Sequence, residues 1–200
     1  MKVFDIQAPA PQGPAAKDQQ SFLIGIDFHE AALRAGLEIR DPQGAPIAAL
    51  CPMIVCYAFA AELYLKSLSR TTIKNHRLNV LYHHLDDPTR ERIAKVYQAR
   101  TGRSRDLEDD LRAFSQAFKD WRYIFEGQGQ QLRVNLLIAF TKSVYETIRQ
   151  VQPTWAVRPH QHERLLADQE RPTMTVANLG GGTFLHIADG TGGHLNDPDA

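Results

Sequence analysis

Residues 51–69 read CPMIVCYAFAAELYLKSLS, and this stretch decides the fold class. Pro52 suits the first turn of a helix, where its missing N–H would have no partner in any case. The apolar residues that follow leave almost no polar face, and a helix of this kind packs at the centre of a bundle. Its charged residues, Glu62 and Lys66, are four apart with the acid first, which favours an ion pair along the helix. The pattern predicts a central helix in an all-α fold.

Five segments around this central helix repeat apolar residues at spacings of three and four, which predicts helices with one buried face. They are residues 21–40, 76–85, 87–101, 106–126 and 131–151. Asp27 is a candidate N-cap in the first segment, and Asn75 is a candidate N-cap for the second. We also expect a short peripheral helix over residues 160–170.

The two ends of the chain differ from the middle in composition. Residues 1–20 are rich in proline and lack apolar periodicity, so we predict a disordered arm followed by a bundle domain over residues 21–170. Residues 171–200 form a Gly-rich tail. Within it, the β-prone runs Thr173–Leu179 and Thr183–Ala188 flank three glycines, which suits either a small hairpin or a disordered tail.

Composition narrows the function classes. The chain has 200 residues with 23 Lys and Arg against 23 Asp and Glu, and this zero net charge argues against a nucleic-acid binder that uses its whole surface. The sequence has no long apolar run and no leader pattern, so we expect no membrane segment. Cys51 and Cys56 indicate reduced thiols in a cytoplasmic protein. His160 and His162 lack companions at ligand spacing, so we predict no metal and no cofactor.

Arg122 is the first candidate site residue. On a helical wheel of residues 106–126 it falls about 40° from Phe118, near the centre of the apolar stripe, so we expect it to face the bundle. A buried guanidinium needs an acidic partner, because an unpaired buried charge is very costly. Glu126 and Glu62 are the candidates. We therefore predict a polar cluster of Glu62, Lys66, Arg122 and Glu126, serving either as a structural ion pair or as a ligand site.

Three short segments carry a family resemblance. They read AELYLKSL at 61–68, HRLNVLY at 76–82 and FKDWRYIFE at 118–126. This order resembles the HEPN family, the "higher eukaryotes and prokaryotes nucleotide-binding" helical domains, over about residues 21–151. The resemblance implies an antiparallel bundle of four to five helices that forms a homodimer and binds RNA or a nucleotide. It also implies a binding site that comprises Arg122, Glu126, Glu62, Lys66, His76 and Arg77.

The sequence departs from the motif of active family members. Those resemble metal-independent endoribonucleases, with an Arg, four to six residues and then a His on a late helix. No His follows Arg122 at that spacing. Matches occur earlier, and they make Arg70, His76 and His83 weak catalytic candidates. The position of His76 is more typical of a residue at a helix start that hydrogen-bonds to nearby backbone or to the polar cluster.

Three functions remain open. We expect a non-catalytic RNA- or nucleotide-associated accessory protein of a toxin–antitoxin or defence system, since the late His is missing. The alternatives are a metal-independent endoribonuclease and a protein–protein interaction module, which would bind a partner protein and have no site chemistry.

Charge patterning gives modest support for an anionic ligand. Residues 66–77 carry four cations and no acid, and residues 90–105 carry six cations and one acid. These stretches suit either a basic strip for phosphates or a solvated helix face balanced by the acids of residues 106–110. They lack the interleaved exposed aromatic residues that are typical of single-strand binders.

Overall fold

The computed structural model describes residues 13–36, 39–40, 46–47, 50–69, 74–102, 107–122, 131–155, 157, 159–167, 173–178 and 183–188. Most of these residues are helical, which confirms the predicted all-α bundle. The helices are α1 (Pro14–Ala35), α2 (Leu50–Ser69), α3 (Leu78–His83), α4 (Asp87–Thr101), α5 (Leu107–Phe114), α6 (Ala117–Arg122), α7 (Val134–Val151) and α8 (Pro159–Leu166). The strands are β1 (Ile39–Arg40), β2 (Pro46–Ile47), β3 (Gln131–Arg133), β4 (Thr173–Asn178) and β5 (Thr183–Ala188).

Helix α2 lies at the centre, as its apolar sequence predicts. Helices α1, α3, α6 and α7 all pack on it, and the side chains of Tyr57, Tyr64 and Leu65 are buried in these contacts. By length and composition alone, residues Cys51–Ser69 are apolar enough to cross a membrane, with a mean hydropathy of 1.3. The core helix of a soluble bundle meets the same criteria, so the cytoplasmic location stays a prediction.

Helix α1 corrects the predicted start of the bundle. It begins at Pro14, so residues 14–20 are helical rather than part of a disordered arm. Proline starts this helix because its fixed φ suits the first turn. Asp27 consequently lies inside α1 and does not cap it. The helix ends at Gly36, so the predicted extension to residue 40 is wrong and Ile39–Arg40 belong to β1 instead.

The segment predicted as one helix over residues 106–126 is broken. Helix α5 ends at Phe114 and α6 begins at Ala117. The carbonyl of Ser115 accepts the N–H of Leu78 at 3.0 Å, and the hydroxyl of Ser115 accepts the N–H of Asn79 at 3.3 Å. Ser115 therefore contributes its polar groups to α3, although the apolar spacing continues through it. Glu108, Asp109 and Asp110 lie in the first turn of α5, where acids complement the helix dipole.

The hairpin alternative for the tail is the one observed. Strands β4 and β5 pair antiparallel, with Thr173 opposite Ala188 and Asn178 opposite Thr183. Strand β3 adds to the other side of β4, with Leu132 opposite Val176. Residues 131–133 are therefore a strand, and the helix predicted from residue 131 begins at Val134. Within the described segments this small sheet joins β4 and β5 of the predicted tail to β3 of the predicted bundle domain.

Helix α4 follows local capping rules, whereas the start of α3 does not. Asp86 caps α4 by accepting the N–H of Thr89 at 2.8 Å, and Gly102 ends α4 in the left-handed conformation with φ 67°. Asn75 accepts the N–H of Arg77 at 2.8 Å, but the N-cap of α3 is Arg77, so the predicted capping role of Asn75 is wrong. Helix α3 is thus shorter than the predicted helix over residues 76–85.

Candidate functional site

A buried carboxylate lies at the middle of the candidate site. The side chain of Glu62 on α2 is only 1% exposed. Lys66, one turn further along α2, donates from Nζ to Oε1 of Glu62 at 2.6 Å. Nδ1 of His76 lies 2.9 Å from Oε1 and 3.1 Å from Oε2 of the same carboxylate. We call Glu62, Lys66 and His76 the acid–imidazole cluster, in which a desolvated acid has two basic partners.

The cluster fixes the orientation of the His76 ring. A carboxylate only accepts hydrogen bonds, so Nδ1 carries the hydrogen and Nε2 is the basic nitrogen of the neutral ring. The side chain of His76 is 65% exposed. Within the described part of the chain no hydrogen bond to Nε2 is present. One edge of the imidazole therefore faces a buried acid, while much of the ring remains open to solvent.

A row of aromatic side chains supports the same ring. Phe118 on α6 lies against His76, with ring centroids 5.9 Å apart and planes inclined by 31°. Behind it, Phe59 of α2 stacks on Phe118 at 4.7 Å and 19°, and Phe28 of α1 meets the ring of Phe59 edge-on at 4.5 Å. We call these three phenylalanines and His76 the aromatic row. It connects α1, α2 and α6 to the loop before α3.

A cavity of about 240 Å³ adjoins the exposed side of His76. Its lining residues are Lys74, Asn75, His76, Arg77, Gln116 and Lys119. Lys74, Arg77 and Lys119 are exposed, and none of the lining residues that the structure describes is acidic. We call this space the cation cavity. Three cations around one small volume create a positive potential that attracts anions.

Local structure explains why these residues meet. Residues 74–77 form one wall of the cation cavity just before α3, and residues 116–119 at the start of α6 form the other. The bonds from Leu78 and Asn79 to Ser115 join the two walls. The helix break at Ser115 therefore shapes the cavity, because a continuous helix would not free this carbonyl for the N–H of Leu78.

The structure brings together Glu62, Lys66, His76 and Arg77 among the predicted site residues. His76 was predicted to hydrogen-bond either to nearby backbone or to the polar cluster, and it contacts Glu62 of that cluster. Arg122 ends α6, but its side chain lies outside the described residues, as do Glu126 and Arg70. The helical wheel on which Arg122 faces the bundle assumes one unbroken helix over residues 106–126, and that assumption is wrong.

His83 is separate from this site. It is exposed at the end of α3, where its Nε2 lies 3.1 Å from Oε2 of Glu108 and Arg90 donates to its Nδ1 at 3.4 Å. It does not line the cation cavity. His83 therefore belongs to a surface charge cluster, which leaves His76 as the only described histidine among the three weak catalytic candidates that faces the cavity.

Sequence reasoning missed three contributors to the site. Lys119 and Phe118 are neighbours on α6, one lining the cavity and the other packing on His76. Lys74 was counted in a basic stretch without a position. Lys119 and Phe118 both lie within FKDWRYIFE, the segment in which Arg122 was the predicted site residue.

A second polar group lies in the core and was not predicted. His29 of α1 is fully buried among the rings of Tyr57, Tyr64 and Tyr145, with Nδ1 3.3 Å from the hydroxyl of Tyr64. Burial, with smaller contributions from the charges of Lys142 and Arg100, lowers the pKa of His29 to about 3. The residue is therefore neutral at pH 7 and acts in packing rather than at a surface site.

The thiols and metal-type ligands offer less. Cys51 and Cys56 are free and half-buried, and burial raises the pKa of both thiols, which makes them weak nucleophiles at neutral pH. His162 on α8 pairs with the hydroxyl of Tyr145 at 2.9 Å. Among the residues described, no three His, Cys, Asp or Glu side chains form a group that could hold a metal ion.

The fold and site define a helical bundle with an acid–imidazole cluster beside a cation cavity. No family model matches the chain, and no curated protein or solved structure matches it significantly. The resemblance to the HEPN family and its implied homodimer therefore stay predictions.

Proposed function

We propose that this protein is a HEPN-like helical domain that associates with RNA or nucleotides and binds their phosphate groups in the cation cavity. The observation that carries the proposal is the lining of that cavity, with Lys74, Arg77 and Lys119 around one space and no acid among the lining residues that the structure describes. A role as the accessory protein of a toxin–antitoxin or defence system is part of the same proposal and follows from the resemblance.

Charge distribution supports this assignment. The chain is neutral overall, so the cation cavity is a local concentration of positive charge rather than part of a basic surface. Lysine and arginine bind phosphate through charge-assisted hydrogen bonds, and Arg77 can also make a bidentate contact. Binding of this kind releases counterions and weakens steeply as salt rises.

A lysine pair gives a matched test of the binding site. Lys119→Ala removes a cation from the cavity, while Lys17→Ala removes an equally exposed cation from α1. We expect Lys119→Ala to weaken binding of a labelled single-stranded RNA and to reduce the slope of log affinity against log salt by about 0.7 to 1, the share of one phosphate contact. Fluorescence anisotropy across a salt series measures both quantities.

The Lys17→Ala control is expected to keep the wild-type slope and affinity. Equal losses in the two variants would mean that binding follows net charge alone, and the cation cavity would then not be the contact site. Thermal unfolding of both variants checks that the fold is intact.

A second function is favoured by the orientation of His76. The contact between Nδ1 and Glu62 leaves Nε2 as the basic nitrogen near the cavity, which is the arrangement of a general base held by a carboxylate. In a metal-independent endoribonuclease, Nε2 would accept the proton of a ribose 2′-hydroxyl as its oxygen attacks the adjacent phosphorus. The bond from phosphorus to the 5′-oxygen of the next nucleotide would then break, leaving a 2′,3′-cyclic phosphate, and the leaving oxygen would take a proton from water. The cavity cations would stabilise the added charge on the phosphate.

Histidine variants test this second function. RNA cleavage in EDTA is expected to fall about 100-fold or more in His76→Ala, the usual contribution of a general base. His83→Ala is the control, since His83 is exposed and lies outside the cavity. Absence of cleavage by the wild-type protein eliminates the ribonuclease, and undiminished cleavage by His76→Ala eliminates His76 as its base.

A further inference from the structure

We infer that the ligand of this site is a single-stranded nucleic acid, one base of which stacks on the exposed face of the His76 ring. The inference rests on the proposed function, namely that the cation cavity binds phosphates. It adds a second contact of different chemistry and excludes duplexes as the preferred ligand.

The His76 ring has two supporting contacts and is otherwise largely exposed. Glu62 holds its Nδ1 edge, and the tilted ring of Phe118 lies beside it at 5.9 Å. The side chain is nevertheless 65% exposed, so a ligand in solvent can reach much of the ring. A planar aromatic face next to cations is what proteins present to unpaired bases, which stack on Phe, Tyr, Trp or His rings.

The support also makes the platform rigid. A free surface histidine would have to give up side-chain rotation to stack on a base. Here the carboxylate of Glu62 and the stacked rings of Phe118 and Phe59 already hold the imidazole in one orientation. A preorganised ring of this kind binds with less entropic cost than a mobile one.

The size of the cation cavity indicates where the phosphate and the base of a ligand would lie. Its volume of about 240 Å³ is below the range of about 300–1,000 Å³ of pockets that enclose a drug-sized ligand. The cavity therefore does not enclose a whole nucleotide, and we place the phosphate beside the cations and the base at the rim. His76 lines the cavity and is mostly exposed, so it is the described ring placed to receive that base.

Only an unpaired strand fits both contacts. In a duplex each base is stacked between its neighbours, and exposing one face costs unstacking and unpairing energy. A single strand can turn one base outward while its phosphates remain on Lys74, Arg77 and Lys119. Stacking on His76 is also tolerant of sequence, because every base has an aromatic face.

An abasic oligonucleotide tests the stacking contact on the wild-type protein. The probes are a labelled single-stranded oligonucleotide of eight nucleotides, the same length with abasic sites at every position, and the matching duplex. All three carry phosphates, but only the first offers unpaired bases. We expect the intact single strand to bind about 5- to 150-fold more tightly than the abasic strand, the usual contribution of one stacked base.

Two variants separate the ring from its charge. His76→Phe keeps an aromatic face and loses both ring nitrogens, so it is expected to retain the preference for the intact strand. His76→Ala is expected to bind both strands equally. His83→Phe and His83→Ala are the controls and are expected to behave as the wild type does, because His83 is away from the cavity.

The outcomes distinguish this inference from the proposed function. Equal affinity of the wild-type protein for intact and abasic strands overturns the stacking contact and leaves phosphate binding standing. Tighter binding of the duplex than of the single strand also overturns it. If neither strand binds at low salt, both the inference and the proposed function fail. The comparison of strands needs no variant, so it holds even if a substitution at His76 disturbs the fold.

Discussion

At the scale of single residues, burial decides what each histidine can do. His76 is mostly exposed and is oriented by an acid, so its ring is available for contact with a ligand. His29 is fully buried among three tyrosines, and its Nε2 has no hydrogen-bond partner in the described structure. The same side chain is thus a candidate site residue in one place and a packing residue in the other.

The buried His29 makes stability depend on pH. Its pKa is about 3 in the fold, against an ordinary value of 6.5, so between these pH values the unfolded chain binds up to one proton more at this residue. Stability from this group is complete above pH 6.5 and is lost as pH falls toward 3, by up to about 1.4 kcal/mol per pH unit. We expect the unfolding free energy to be about 2 kcal/mol lower at pH 5 than at pH 7.

Urea unfolding at a series of pH values measures this loss. The control is His29→Gln, which does not titrate and keeps a polar group near the hydroxyl of Tyr64. Its stability is expected to depend less steeply on pH between 4 and 6. A variant with the wild-type pH dependence would show that other groups, and not His29, cause the acid sensitivity.

At the scale of elements, the contact between α1 and α2 depends on Gly25. A Cβ added there would lie 2.7 Å from Cε1 and 2.8 Å from Cδ1 of Tyr64. The Tyr64 ring is fully buried and packs against Phe22 and Tyr145, so it has no space into which to move. The two helices therefore approach closely because residue 25 has no side chain.

Gly25→Ala is expected to destabilise the fold. Overpacking of a tight core contact costs about 1–3 kcal/mol, which exceeds the gain of about 1 kcal/mol from the better helix propensity of alanine. Thermal or urea unfolding gives the difference. A more stable variant would mean that α1 can shift away from α2 without loss of packing.

Patterns that lie within one element were predictable from the sequence. The apolar run of residues 51–69 predicted the central α2, and the spacing of Glu62 and Lys66 predicted their ion pair, which the structure shows at 2.6 Å. The break at Ser115 was not predictable, because the apolar spacing continues through it and the bonds that stabilise it come from Leu78 and Asn79 on another helix. Local periodicity holds no information on such a distant donor.

The candidate site was predictable in part for the same reason. Glu62 was identified because an acid is conspicuous on an apolar helix, and it was one of two candidate partners of Arg122 on a wheel that assumed a continuous helix. Within the described residues Glu62 pairs with Lys66 and with His76, and His76 reaches it from a loop 14 positions along the chain. The aromatic row also joins residues far apart in sequence, so it could not be predicted from local spacing.

At the scale of the whole molecule, the site lies where several elements meet. Helix α2 supplies Glu62 and Phe59, α6 supplies Phe118 and Lys119, and the loop before α3 supplies His76 and Arg77. Because α2 is also the centre of the core, the buried acid connects the site to the core of the bundle. Substitutions at Glu62 would therefore affect stability and the site together, whereas Lys119 and His76 are exposed and suit tests of the site.

The link between Ser115 and the start of α3 has a kinetic consequence. It joins residues 74–77 to residues 116–119 by backbone and side-chain bonds, so the distance between them is set before any ligand arrives. A receptor of fixed shape requires no slow rearrangement during encounter. Association should then be governed by diffusion and long-range attraction between opposite charges, and differences in affinity among ligands should arise mainly from how long each one stays bound.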